Sequence, residues 1–258
     1  MRLGYKYVEA GHAHVDGRAE EFVTTMGYGT RYRTAEEFLA AHDQRWVREL
    51  HQVLVELLDP GRVVLGIGSG EGEHEVLLHR AGYRVIASDL VPGVLDDTAR
   101  LFEGLPTMQF DVFAPTDVEC DDVLITGLDF YLDDPEAARM LRSVRGLLGA
   151  SGRLILTLRY RDNAATWAID RLALPAVAAL QRRRGATLER KQHGFRRSPR
   201  EVAALARAAG FTVGRVRHAA FGMEIVRFAA PPSWLLAVDR RLHVLNSAVV
   251  FELLPESG

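Results

Sequence analysis

The chain of 258 residues has a single cysteine, Cys120, and among its 32 basic residues only Lys6 and Lys191 are lysines. A lone cysteine excludes an internal disulfide and a cysteine-based metal cluster. With no signal-peptide pattern at the N-terminus, a cytoplasmic location is expected. No apolar run reaches the length of a membrane span, so no membrane partner is expected. The formal net charge of −2 gives no extended basic footprint, so no nucleic-acid partner is expected. No two histidines pair on one helical face with a carboxylate, and no metal is expected. A G-x-x-x-x-G-K-[ST] loop is also absent, which speaks against nucleoside triphosphates. The scarcity of lysine beside abundant arginine, alanine and glycine fits GC-rich bacterial coding.

What is present is a core and a motif. Hydrophobic residues make up 48% of the chain, enough for one sizeable α/β domain. The run Val63-Val64-Leu65-Gly66-Ile67-Gly68-Ser69-Gly70-Glu71-Gly72 leads from an apolar strand into a glycine turn. A helical pattern follows over 73–80, and then a second strand ends at Asp89. Glycines let a backbone approach a ligand closely, and a helix start offers free N–H groups. Asp89 follows Gly68 by about 20 residues, the spacing of an acid that accepts hydrogen bonds from ribose hydroxyls. The unit therefore predicts a nucleoside-cofactor site.

The remaining pattern alternates strands and helices. A helix is expected over 34–58, capped by Thr34, with Phe38, Trp46, Leu50, Val53, Leu54 and Leu57 on one face. Further strands are expected at 62–67, 107–112, 122–126, 153–158 and 211–217, with helices at 92–102 and 136–148. Ser198-Pro199-Arg200-Glu201 is a helix start with a capping box. Residues 164–184 and 231–245 read as helices. Residues 248–254 read as a reversed last strand, with 223–228 as a competing candidate. The fold class is α/β: a Rossmann-like, doubly wound, mostly parallel seven-stranded sheet with helices on both faces. Residues 1–33 read as an N-terminal arm or lid, and 34–258 as the main domain with a helical insertion at about 162–197.

The segment Gly68-Ser69-Gly70-Glu71-Gly72 resembles motif I of the class I S-adenosylmethionine (SAM) dependent methyltransferases of the type 11/12 kind. The third glycine falls one residue earlier than in the G-x-G-x-x-G of nicotinamide and flavin proteins. Together with the lack of a Tyr-x-x-x-Lys pair, this disfavours a nicotinamide oxidoreductase. Leu147-Leu148-Gly149-Ala150-Ser151-Gly152-Arg153-Leu154 is similar to the family's turn before strand five. The resemblance covers about residues 60–160. It implies SAM as cofactor and S-adenosylhomocysteine as product. It also implies that Gly66, Ile67, Gly68, Ser69 and Gly70 face the methionine portion, with Asp89 on the ribose. Leu90, Asp111 and Val112 would lie at the adenine, and Thr126 and Gly127 near the methionine end. The family usually has an acid where Gly66 stands, which helps to hold the SAM ammonium; Glu71 and Glu73 are nearby substitutes.

The implied activity is methyl transfer to an oxygen or nitrogen of a small molecule, with bacterial specialised metabolism as a setting. A small-amine N-methyltransferase of the histamine type and a non-catalytic SAM-binding protein are the alternatives. After the fourth strand the chain reads Gly127-Leu128-Asp129-Phe130 rather than N/D-P-P-Y/F, which disfavours DNA amino methylation. Acceptor-side candidates are Asp129 and Tyr131 after strand four, and Tyr160 and Arg161 after strand five. Tyr7, His12 and Tyr28 on the arm join them, with His218 as a candidate base. A homodimer stays open as an assembly.

Overall fold

A computed structural model of the chain describes residues 31–114, 118–128, 132–159, 197–221 and 246–256. Thirteen elements are described. They begin with α1 (Ala35–His42), α2 (Arg45–Leu57), β1 (Val63–Ile67), α3 (Glu73–Arg80) and β2 (Arg84–Asp89). Next come α4 (Asp96–Leu101), β3 (Thr107–Gln109), β4 (Asp122–Thr126), α5 (Asp134–Leu147) and β5 (Arg153–Arg159). The last are α6 (Pro199–Ala208), β6 (Phe211–Phe221) and β7 (Asn246–Pro255). The strands form one seven-stranded sheet in the order β3-β2-β1-β4-β5-β7-β6. The first five pair in parallel, and β7 runs antiparallel between β5 and β6. The last strand is thus reversed between its neighbours, as expected, and Asn246–Pro255 forms it.

The sheet is apolar on both faces because helices cover both. Alternate residues of a strand point to opposite sides. Leu65, Ile67, Val123, Ile125, Leu154 and Leu156 face Met140, Leu141 and Val144 of α5, with Val202 and Ala206 of α6. Val64, Leu124, Ile155 and Val250 face the other way, towards Phe38, Leu50, Leu54, Val76 and Leu78. Each fully buried leucine of these layers contributes about 1.5–3 kcal/mol.

Local chemistry explains where the elements stop. Thr34 caps α1 by accepting from the Glu37 amide at 3.2 Å. The single helix expected over 34–58 is two helices, broken at Asp43 and Gln44. Gln44 is extended, and its side-chain Oε1 accepts from Trp46 Nε1 at 2.7 Å. Val47 takes the core place, whereas Trp46 and Val53 are only partly buried. Helix α4 is shorter than the predicted 92–102 because Gly93 has a φ of 79°, incompatible with a continuous right-handed helix. Strand β3 stops early as well: the Asp111 carboxylate accepts from the Phe113 amide at 2.8 Å and turns the chain. Capping boxes start α5 (Asp133 with Glu136) and α6 (Ser198 with Glu201). The segments 164–184, 223–228 and 231–245 lie outside the described residues.

The amino ends of β1, β4 and β5 are locked by charge. Asp122, fully buried, accepts from Arg62 at 2.9 and 3.1 Å and from Arg153 at 2.5 and 3.1 Å. Without Asp122 the two arginines would keep only backbone carbonyls and, for Arg153, Glu252 as acceptors, and breaking such a buried group costs about 3–5 kcal/mol. Asp122→Ala is expected to lower unfolding stability by that amount in urea denaturation, and a loss below about 1 kcal/mol would contradict the lock.

Candidate cofactor site

The glycine turn sits at the carboxyl end of β1, the middle of the parallel part of the sheet. Gly68, Gly70 and Gly72 have φ of 67°, 59° and 79°, so the turn uses conformations that side chains resist. A Cβ on Gly68 would crowd Leu128 at 3.2 Å. The turn is tied to β2: the Ser69 amide donates to the Ser88 carbonyl at 2.9 Å, and Ser88 Oγ donates to the Gly66 carbonyl at 2.5 Å. Helix α3 begins directly after it, with no side-chain cap.

Asp89 stands at the end of β2 and points at the turn. One carboxylate oxygen accepts from the Gly70 amide and the other from the Val91 amide, each at 2.9 Å. Burial pushes its pKa above the ordinary 3.8, opposed by those amides. A carboxylate has about four acceptor sites, so two backbone bonds fix its orientation and leave capacity for a ligand. The Leu90 carbonyl accepts from Gln109 Nε2 at 3.0 Å. Asp111 turns the chain after β3, and Val112 is buried. Gly127, just past β4, has a φ of 84°, and a Cβ there would meet nothing within 4 Å.

Because β3, β2, β1 and β4 are adjacent and parallel, these strand ends lie along one edge of the sheet. That edge is where open α/β sheets bind ligands. The architecture is matched by solved structures at low sequence identity. Magnesium protoporphyrin IX methyltransferase from Synechocystis PCC 6803, with bound S-adenosylhomocysteine, is 15% identical over 95% of this chain and 97% of its own, TM-score 0.59. The 1,6-didemethyltoxoflavin-N1-methyltransferase of Burkholderia thailandensis is 17% identical over 100% and 99%, TM-score 0.60. The chain has the fold of the class I SAM-dependent methyltransferases. A SAM-dependent methyltransferase of Thermotoga maritima, described as a possible histamine N-methyltransferase, is 17% identical over 85% and 96%, TM-score 0.55. No family model matches the sequence, and no curated protein matches it.

Within this methyltransferase fold, the residues expected around the cofactor come together, but not all through their side chains. The Ile67 side chain is buried in the core, leaving its backbone to line the turn. The Ser69 hydroxyl is spent internally, donating to Glu75 Oε1 at 2.9 Å and accepting from the Ser88 amide at 3.2 Å. His218 lies on β6, opposite Val249 and separated from β4 by β5 and β7. At strand spacings of about 4.8 Å it is roughly 14 Å from β4. Asp129, Tyr131, Tyr160, Arg161, Tyr7, His12 and Tyr28 lie outside the described residues.

Glu75 was not singled out from the sequence. It is an acid at an inward position of α3, next to Val76, and that mismatch with the helix's buried side is the signal that points to it. Of the two acids weighed as substitutes, Glu71 is engaged by Arg31, and its other oxygen is 3.5 Å from His42. Glu73 lines a cavity of about 330 Å³ between α1, α2 and α3, with Phe38, His42 and Val47. None of the strand-end residues lines that cavity. Burial presses the neighbouring His74 down to about 3, with His51 and His42 adding to it, so His74 packs neutral against Trp46.

Arg31 and Tyr32, at the end of the stretch read as the arm, are strapped to α4. Asp97 of α4 accepts from the Arg31 and Tyr32 amides at 2.6 and 2.9 Å and from the Arg100 side chain. Burial alone would raise the Asp97 carboxyl, but these donors outweigh it and hold it below the ordinary 3.8. The strap's contribution is therefore complete above that value and is lost as the pH falls through the lower folded one. Asp97→Ala is expected to free residues 31–33 and speed tryptic cleavage at Arg31 and Arg33 several-fold at neutral pH. Cleavage at the wild-type rate would contradict the strap.

Proposed function

We propose that the chain is a SAM-dependent methyltransferase that methylates an oxygen or nitrogen of a small molecule. The observation that carries this reading is the Asp89 carboxylate, oriented by the Gly70 and Val91 amides beside a left-handed glycine turn. A nucleoside fits such a site: Asp89 accepts from the two ribose hydroxyls while the bare backbone of Gly68 to Gly70 lies against the ligand. Leu90, Asp111 and Val112 flank the base, and Thr126 and Gly127 border the open space past β4. SAM carries no pyrophosphate, in keeping with a turn whose third glycine arrives early.

When bound, SAM supplies an electrophilic methyl group on a sulfonium. The chain's residues supply alignment for in-line attack, exclusion of water and charge. A neutral amine needs no base, whereas a hydroxyl acceptor calls for one. On this reading Asp129 and Tyr131, following β4, orient the acceptor, and Tyr160 and Arg161, following β5, contact it. The arm residues Tyr7, His12 and Tyr28 close over it. His218 serves as base only for an acceptor that extends across β5 and β7. Bacterial specialised metabolism is the proposed setting. A small-amine N-methyltransferase is the second reading, supported by the likeness to the Thermotoga maritima protein.

Calorimetric titration with SAM, S-adenosylhomocysteine, NAD⁺ and NADP⁺ tests the cofactor. Micromolar binding of the sulfur nucleosides alone is expected, and Asp89→Ala is expected to weaken it by about 10–100-fold, the loss of hydrogen bonds to a charged group. Binding of a nicotinamide dinucleotide alone, or unchanged affinity in Asp89→Ala, would overturn the assignment.

A further inference from the structure

Glu75 reaches from the first turn of α3 back to the backbone of β1 and is only 1% exposed. Its Oε1 accepts from Ser69 Oγ and lies where a side chain on residue 66 would begin: a Cβ on Gly66 would be 2.3 Å from it. Its Oε2 is buried and has no hydrogen-bond partner among the described residues. The charged groups that bear on it are Glu73 of its own helix and Asp89 of β2, both acids, with the Ser69 hydroxyl contributed by the turn. A buried carboxylate among acids, with an oxygen lacking a donor, is costly unless a cation or a proton completes it.

Resting on the reading of the turn as a SAM site, we propose that Glu75 binds the ammonium group of the cofactor's methionine portion. Gly66 supplies the space and Glu75 the charge, so the acid is delivered by the helix rather than by the strand. Glu71 is occupied by Arg31, and Glu73 lines the cavity between α1 and α3, which leaves Glu75 for this role. The bond is a charge-assisted N–H···O hydrogen bond to the oxygen that has no other donor.

The protonation state agrees with this geometry. Burial, reinforced by Glu73 and Asp89, pushes the Glu75 carboxyl up to about 8. Its folded value thus lies above the ordinary 4.5, so the stability it lends the free protein is present below 4.5 and is lost as the pH rises through about 8. An arriving ammonium favours the ionised form. Binding near pH 7 therefore displaces a proton from Glu75.

The test compares S-adenosylhomocysteine with 5′-methylthioadenosine, which keeps the nucleoside and thioether but has no amino-acid end. In Glu75→Gln, S-adenosylhomocysteine affinity is expected to fall about 10–100-fold while 5′-methylthioadenosine affinity stays unchanged. Proton release at pH 7, measured in two buffers of different ionisation enthalpy, is expected in the wild type and lost in the variant. In Glu75→Ala the space beside residue 66 opens, and adding Gly66→Asp is expected to restore preference for S-adenosylhomocysteine. Equal losses for both ligands in Glu75→Gln mean that Glu75 only braces the turn, and overturn the proposal, as does no loss. A wild type that binds both ligands equally overturns this proposal and leaves the cofactor reading intact. A wild type that binds neither overturns both.

Discussion

No side chain fits at residue 66, because the carboxylate of Glu75 already fills that space. Gly66 pairs with Ala87 on β2 and with Leu124 on β4, in the centre of the parallel sheet. The contact sets the Glu75 side chain of α3 directly against the backbone of β1. Ser69 is held to Glu75 by that arrangement, Ser88 is held to Ser69, and Asp89 follows Ser88 at the strand end. One close approach thus sets the geometry of the turn and of the acid beside it. A methyl group at Gly66 would collide with the Glu75 carboxyl group and force that side chain to move away from Ser69.

The two ends of the sheet treat charge differently. At the amino ends Asp122 is fully paired with Arg62 and Arg153, and Glu252 on β7 is paired with Arg215. The Arg215 side chain lowers the Glu252 carboxyl below its ordinary range, although burial opposes it. At the carboxyl ends Glu75 and Asp89 are both raised, chiefly by burial. Acids satisfied by arginine hold the frame, whereas acids answered only by backbone amides and a serine face the turn. Groups perturbed by burial in this way gather at functional sites.

Much of this arrangement was legible in the residues. Glycines at a strand end, an acid about 20 residues later and a capped helix start at Ser198 each carry a local reason, and α3, β4 and the start of α6 fall where those reasons put them. The break between α1 and α2 was not legible, because Asp43 and Gln44 break a helix without glycine or proline. The early ends of α4 and β3 depend on the backbone at Gly93 and on the Asp111 side chain, which periodicity does not register. Glu75 escaped for a different reason. Its meaning comes from contact with a strand several residues earlier, and sequence spacing alone made Glu71 and Glu73 look closer to the turn. The proposed acceptor side rests on Asp129, Tyr131, Tyr160 and Arg161, which lie outside the described residues and whose surrounding sequence has no pattern that specifies a fold.

The most direct measurement is a crystal structure of the protein with S-adenosylhomocysteine. Both ribose hydroxyls are expected within about 3 Å of the Asp89 carboxylate, the normal hydrogen-bond distance, with the backbone of Gly68 to Gly70 against the ligand. A ligand seated elsewhere, for example in the cavity between α1, α2 and α3, would contradict that placement.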